Sequence, residues 1–393
     1  MTTETMVAAP FDMSQVQRGA RNRRTPYYAA TQRYGPKGFT VYNHMYFPIR
    51  FDSFEAEFDA LLNNVTIWDV SVERCLEISG PDGFRFAQLL TPRDLSKCAV
   101  GQAKYVLICD SDGGIVNDPV LTRMDENTFW FALASSDALL FARGLKNAHP
   151  DLDVTIREAD VAPMQVQGPK SKDLMVALLG DSILDLKYYW WRHAEIRGIP
   201  VVVTRTGWTS EVGYEIYLLD SSKGGELWET LMEVGAPYGV RPTGPSDIRR
   251  IEGGIFNWGA DMTYEHNAFE MGLDRLVDFG LADDACISIA AYRRIKAAGV
   301  SRRIVGVELD GEAFPELNNV KWPARAASGG ASVGLVTSAI YSPRLERNIG
   351  FCWLPAELAA EGTGLQVETE WGTRTATVVP MPFVDPEKRI PIS

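Results

Sequence analysis

Two stretches of the chain follow one order: an alternating apolar run, a Gly-Pro pair, then a helical run. In the first, Cys75, Leu76 and Ile78 alternate as a strand, the chain turns at Gly80-Pro81-Asp82, and Phe84, Ala87 and Leu90 fall at helical spacing. In the second, Gln167-Gly168-Pro169 precedes Ser171, read as an N-cap, and Leu174, Met175, Leu178 and Leu179 share a helix face that ends at Gly180. The recurrence predicts two related halves.

What lies between and after them fixes the class. Residues 105–109 and 115–124 are apolar runs joined by Asp110-Ser111-Asp112-Gly113-Gly114, and an Asp-Gly pair in that position predicts a hairpin. A further strand is expected at 129–133, after which Ser136 is read as the cap of a helix through Leu139, Leu140 and Leu145. The second half repeats the pattern, with strands at 201–206 and 214–219 around the loop 207–213, then helices near 227–234 and 247–256. This is α+β order with antiparallel pairing. Beyond about Gly299 come short runs at 304–309, 331–337, 350–354, 366–369 and 374–379 between Gly and Pro turns, the pattern of a small β-barrel or sandwich. A chain of 393 residues exceeds one core. The expected division is 1–160, a basic arm (Arg18, Arg21, Arg23 and Arg24, with 1–13 a tail) plus the first α+β domain; 161–298, the second; and 299–393, the barrel.

Charge and apolar run length exclude several functions. Acidic residues outnumber basic ones 51 to 39, a net charge of -12 that would repel a nucleic-acid backbone. The longest apolar stretch, 129–142, is broken by Ser135, Ser136 and Asp137, whereas a membrane span needs about 20 apolar residues. The first ten residues lack the basic region of a secretory signal, so a cytoplasmic address is expected. Five dispersed cysteines and four dispersed histidines (His44, His149, His193, His266) give neither a disulfide framework nor metal-ligand spacing, so no metal is expected. No Gly-x-Ser-x-Gly elbow supports a hydrolase, and Gly329-Gly330 reads as a hairpin turn, since no Lys-Ser/Thr follows it.

Two carboxylates stand out. Glu215 sits in Val212-Gly213-Tyr214-Glu215-Ile216-Tyr217, where burial requires a partner. It fits either a solvent-facing strand position or an anion offered to an amidine-like ligand edge. Asp118, before Pro119, shares strand parity with Val116 and Val120, although the opposite face is apolar too. Tyr188, Tyr189, Trp190, Trp191 and Trp208 suit either core packing or a wall for a cation or flat ring.

Several stretches together resemble the aminomethyltransferase (glycine-cleavage T protein) superfamily of tetrahydrofolate enzymes. They are Trp68-Asp69-Val70-Ser71 with Glu77-Ile78-Ser79-Gly80-Pro81-Asp82; Tyr105 with Asp112-Gly113-Gly114-Ile115-Val116-Asn117-Asp118; Gln167-Gly168-Pro169-Lys170; Arg205-Thr206-Gly207-Trp208 through Tyr217; Arg250-Ile251-Glu252-Gly253-Gly254; and Thr337-Ser338 to Gly350. Within it the chain is most similar to the dimethylsulfoniopropionate demethylases, through Arg23-Arg24-Thr25-Pro26-Tyr27, Thr40-Val41-Tyr42-Asn43-His44-Met45, 91–97 and Asn117-Asp118-Pro119-Val120. It departs from them at Cys286-Ile287-Ser288-Ile289 and at Gly244-Pro245-Ser246-Asp247.

The resemblance implies a three-domain ring with tetrahydrofolate in a central channel, its pterin at Glu215 and its reacting nitrogen near a catalytic Asp118. Tyr105, Trp208, Tyr217 and Arg250 match folate-contacting or channel positions. The activity implied is transfer of a methyl group from a small donor to tetrahydrofolate. Dimethylsulfoniopropionate or a related onium compound is the expected donor, and aromatic O-demethylation or glycine-cleavage-type aminomethyl transfer are the rivals. Tyr188, Trp190, Trp191 and Arg192 are the expected donor contacts, with Arg24 and Arg50 as further candidates for a donor carboxylate. The partners expected are small molecules, with a homodimer left open.

Overall fold

The structure, a computed structural model, describes residues 19–393; Arg18 and the tail 1–13 lie outside the described residues. The rest of the arm is laid over the protein as expected. Tyr27 is fully buried and its hydroxyl donates to the Ala162 carbonyl at 3.0 Å, while Thr25 donates to the Asp69 carboxylate at 2.6 Å. The aromatic run that follows forms a hairpin, Gly38–Tyr42 with Met45–Arg50. Its two-residue turn places Asn43 and His44 at φ 46° and 63°, the left-handed pair that suits the twist of a tight hairpin.

The first sheet has five antiparallel strands, in the order Thr155–Glu158, Cys75–Ser79, Phe129–Ala132, Val120–Arg123, Ala103–Tyr105. Helices Gly83–Leu90 and Ala138–Ala148 cover it through Phe86, Leu90, Leu139 and Ala142. The predicted hairpin at Asp112-Gly113 is present, with Asp110 N–H bonded to the Gly114 carbonyl at 3.0 Å and Gly113 at φ 89°. Both of its arms are broken, however. Ile108–Cys109 and Ile115–Asn117 form a separate ribbon, and the chain rejoins the sheet only after Asp118-Pro119. Pro119 has no N–H for a ladder, so the strand parts there, and its carbonyl accepts from Val106 instead.

The second sheet runs Trp191–Ile196, Ile199–Thr204, Gly213–Leu218, Ala162–Gln167, Thr66–Asp69, Arg241–Pro242, antiparallel except for the last pair. Thr66–Asp69 precedes the whole first sheet in the chain, so the two sheets are interleaved rather than consecutive. One face carries Ile67, Met164, Val166, Val203 and Ile216 against helices Ser171–Leu179 and Gly224–Gly235. The other face presents a row of directly paired residues, Trp68, Gln165, Glu215 and Thr204.

The C-terminal segment is a closed six-stranded barrel. Five strands fall on the expected runs; the sixth, Trp322–Ala326, contains Pro323 and is illegible as a strand because proline interrupts the pattern. Gly329 and Gly330 turn it into Ser332–Ser342, both at positive φ. Two expected caps move by one residue. Ser136 accepts from Asn117 at 2.7 Å, leaving Asp137 at the N-cap, and Ser171 donates to the Val212 carbonyl, leaving Lys170 there. The helix expected over 247–256 stops at Glu252, where Gly253-Gly254 ends it. Among the described residues no helix is long and apolar enough to cross a membrane.

Candidate active site

A cavity of about 400 Å³ lies where the two sheets, the hairpin and the barrel segment meet. Its wall takes Tyr42 and Phe47 from the hairpin and Trp68, Gln165, Trp208 and Glu215 from the second sheet and its loop. Tyr105 and Asp118 come from the first sheet, Leu317 from the barrel segment, and Lys388 and Pro391 from the C-terminal tail. The sheet rule explains the row on the second sheet: side chains alternate between faces, so a polar residue inside an apolar strand is one aimed away from the helices. Glu215 is 4% exposed and far from neutralised by a cation. Gln165 donates to its Oε1 at 3.0 Å, and Thr206 and Thr204 approach its Oε2 at 2.5 and 3.4 Å. Burial raises its pKa, and those donors oppose the rise.

Asp118 is aimed by the strand break at Pro119. Tyr105 donates to its Oδ2 at 3.0 Å, and burial lifts its pKa to about 7 against that hydrogen bond. The Tyr105 phenol is pushed up in turn, by burial first and then by the carboxylate it faces. Glu215 and Asp118 are therefore brought into one cavity, with Tyr105 and Trp208. Tyr217, two residues along the strand from Glu215, is buried, its ring tilted against Trp130 at 6.2 Å. Arg250 is not part of the wall: at 1% exposure it bonds Asp247, Asp261 and Ser338, and it supports the site from behind through the wall residues Asp247 and Trp208, whose ring is 5.7 Å away.

The aromatic run divides. Tyr188 and Tyr189 line the cavity, their rings edge to face at 4.7 Å. Trp190 and Trp191 do not: Tyr189, at φ 61°, breaks the strand alternation, and the segment then pairs with the edge of the first sheet. Tyr189 carbonyl accepts from Ala103, Trp190 bridges Gln102, and the Trp191 indole donates to the Arg123 carbonyl at 3.0 Å. Arg192 bonds the Ser182 carbonyl on the outer edge of the second sheet, Arg24 lies over Tyr28 and Arg50 over Phe54; none lines the cavity. The cations that do are Arg275 and Lys388.

Sequence reasoning missed several wall residues, Gln165, Glu73, Arg275 and Lys388 among them. Gln165 carried a usable signal, a polar residue inside the apolar strand Ala162–Gln167, the same signal that singled out Glu215. Glu73, Arg275 and Lys388 carried none, since each sits in a polar turn or tail. The Glu73 pKa is raised well above its ordinary value by burial, then by the nearby Glu215 and Asp118. No group of three or more His, Cys, Asp or Glu able to hold a metal occurs among the described residues.

Two largely antiparallel sheets, a closed C-terminal barrel and a cavity between them put the chain in the T-protein fold class. It belongs to the glycine-cleavage T-protein family: the family model of the GCVT N-terminal domain matches residues 14–280, and that of the glycine cleavage T-protein C-terminal barrel domain matches 302–385. The dimethylsulfoniopropionate demethylase DmdA of Ruegeria pomeroyi is 37% identical over 366 residues, covering 93% of this chain and 98% of that protein. An aminomethyltransferase of Symbiobacterium thermophilum is 30% identical over 372 residues, covering 92% and 97%. In fold, the chain matches the crystal structure of the glycine cleavage system aminomethyltransferase T from Bartonella henselae with a TM-score of 0.82, at 21% identity over 92% of this chain and 98% of that one.

Proposed function

We propose that the chain is a demethylase that moves a methyl group from a small onium donor, dimethylsulfoniopropionate or a close relative, to nitrogen-5 of tetrahydrofolate. The observation that carries this reading is a cavity whose aromatic faces surround Glu73, Asp118 and Glu215, none of them ion-paired among the described residues, while the fourth carboxylate of the lining, Asp247, is paired with Arg250. Aromatic faces together with a carboxylate that no protein cation neutralises attract a methylated cation. The similarity to the Ruegeria pomeroyi demethylase supports the donor class.

The residues fit the folate. Glu215, steadied by Gln165, Thr204 and Thr206, offers a planar anion to the amidine-like edge of the pterin. Bound tetrahydrofolate supplies the nitrogen lone pair that receives the methyl carbon. The carbon–sulfur bond breaks with its electron pair staying on the sulfide, which leaves neutral, so the protein needs no acid for the leaving group. Asp118 accepts the proton shed by nitrogen-5, and its pKa of about 7 suits a base at neutral pH. Tyr105 holds that carboxylate in place, while Tyr188, Tyr189 and Trp208 wall the donor and keep water out. An aryl methyl ether would require an acid for the departing phenolate. The cavity's buried Tyr105 and Tyr189 phenols are weakened as acids by burial, which favours the onium donor.

The test is a panel of sulfonium, betaine and methoxyarene donors with tetrahydrofolate, the product separated as 5-methyl- or 5,10-methylenetetrahydrofolate. The 5-methyl product from a sulfonium donor is expected. Turnover of methoxyarenes alone, or 5,10-methylenetetrahydrofolate from an aminomethyl donor alone, would overturn the donor assignment.

A further inference from the structure

Of the four carboxylates lining the cavity, three are already engaged by the protein, Asp247 through its pair with Arg250 at 2.6 Å. Glu215 receives three side-chain donors and Asp118 receives the Tyr105 hydroxyl. Glu73 has no side-chain hydrogen bond and no ion pair among the described residues. Its position is nevertheless fixed: it stands in the tight turn between strands Thr66–Asp69 and Cys75–Ser79, with its N–H bonded to the Val70 carbonyl at 2.9 Å and the next N–H bonded to the Val72 carbonyl at 3.0 Å. The neighbouring Arg74 is turned the other way and spent on Glu158, at 2.6 and 2.9 Å. The two cations of the cavity wall belong to another part of it, where Arg275 acts on Lys388, Tyr105 and Tyr189 rather than on Glu73. The titratable groups that face Glu73 are Glu215, Asp118, Tyr42 and Tyr217. An acid placed among acids and phenols, with no cation in reach, is costly unless a cation arrives with the substrate.

We infer that Glu73 is a specificity-determining residue whose carboxylate supplies the counter-charge that selects a cationic methyl donor over a neutral one. The inference rests on the reading above and deepens it. A sulfonium or quaternary ammonium group has no N–H, so it gains nothing from a carboxylate already committed to directional bonds. It is held instead by ring faces and by an anion free to approach from any side, and Glu73 with Tyr42 provides both. The pterin edge is the opposite kind of ligand, directional and planar, and Glu215 is the carboxylate arranged for it. Burial and two acidic neighbours disfavour the ionised form of Glu73 and a bound cation favours it, so donor binding should be coupled to proton release and tighten as pH rises.

The experiment compares wild type with the near-isosteric Glu73→Gln, and with Glu73→Asp as a variant that keeps the charge. Binding of dimethylsulfoniopropionate and of its neutral carbon isostere 4-methylpentanoate is measured by calorimetry in buffers of different ionisation enthalpy, alongside tetrahydrofolate affinity and donor KM. The expected result is at least a tenfold loss of sulfonium affinity and a matching rise in donor KM in Glu73→Gln, with little change for the isostere. Proton release should vanish, tetrahydrofolate affinity should stay within threefold, and Glu73→Asp should recover part of the preference. Unchanged sulfonium preference in Glu73→Gln, or a loss confined to tetrahydrofolate affinity, would overturn the inference. Sulfonium binding that depends on Glu73 but yields no 5-methyltetrahydrofolate would uphold it and overturn the proposed function, whereas a wild-type protein that binds no onium compound would overturn both.

Discussion

Asp118 shows how one residue's setting determines its chemistry. An aspartate in water has lost its proton by pH 5; here burial lifts the pKa to about 7, and the Tyr105 hydrogen bond is too weak to bring it back. As the base, Asp118 acts only when ionised, so turnover should climb from pH 6 to 8 with an apparent pKa near 7. Asp118→Asn should lower kcat by roughly two orders of magnitude and flatten that climb, a scale typical of losing a group that stabilises developing charge. Near wild-type single-turnover rates would remove Asp118 from the mechanism. The same shift has a stability consequence of fixed sign. The folded state holds this proton between about pH 4 and 7 while the unfolded chain does not, so stability falls as pH rises through that window. Asp118→Asn should therefore be more stable than wild type at pH 8 by about 2 to 4 kcal/mol, read by urea denaturation. For Glu215→Gln, calorimetry should show tetrahydrofolate binding weakened by about 1.5 to 3 kcal/mol, because one charge-assisted pair is lost from a buried site. Glu215 and Asp118 were legible because an acid inside a β-prone run violates the local pattern. Glu73 violates nothing: in Ser71-Val72-Glu73-Arg74 it looks like any turn residue, and only the folded cavity distinguishes it.

At the scale of elements, the strand breaks mattered more than the strands. Periodicity located many of the strands but not Thr66–Asp69, Thr155–Glu158 or Trp191–Ile196, and the separation of Ile115–Asn117 from Val120–Arg123, which aims Asp118, depends on which backbone groups find partners, and periodicity does not report that. The C-terminal tail was likewise unreadable, because it contributes to the wall through backbone held from a distance. Arg205, in the loop after Ile199–Thr204, donates to the carbonyls of Pro391 and Ser393 at 3.0 and 2.6 Å and so keeps Lys388 and Pro391 in the cavity wall. Arg205→Ala should free the tail while leaving the sheets intact. Limited proteolysis followed by mass spectrometry should show faster cleavage within 385–393, together with a several-fold rise in KM for tetrahydrofolate. A tail that stays protected would mean that the short helix Arg389–Ile392 packs well enough without the clamp.

For the whole molecule, short strands and Gly/Pro turns foretold a C-terminal barrel or sandwich, but not which of the two, nor what fastens it to the second sheet. Helix Asp247–Glu252 is the fastening, and charges hold it rather than apolar contact alone. Arg250 pairs with Asp247 at 2.6 Å and Asp261 at 2.9 Å and bonds Ser338 of the barrel at 3.0 Å; Asp261 in turn accepts from Thr337 and Ser338, and Glu252 accepts from Ser342. Such a buried network costs little while complete, and much when one member is removed and its partner is left charged and dry. Asp261→Ala should therefore destabilise the protein by about 3 to 5 kcal/mol, against about 1 kcal/mol for Ser338→Ala, which deletes a hydroxyl and no charge. Urea denaturation of both variants checks the ratio. Arg250 also lies across the Trp208 ring, so loss of Asp261 should loosen that wall and weaken tetrahydrofolate binding, which Ser338→Ala should leave within about twofold. Equal destabilisation by the two variants would mean that water already reaches the network and that apolar packing, not paired charge, fastens the barrel to the site.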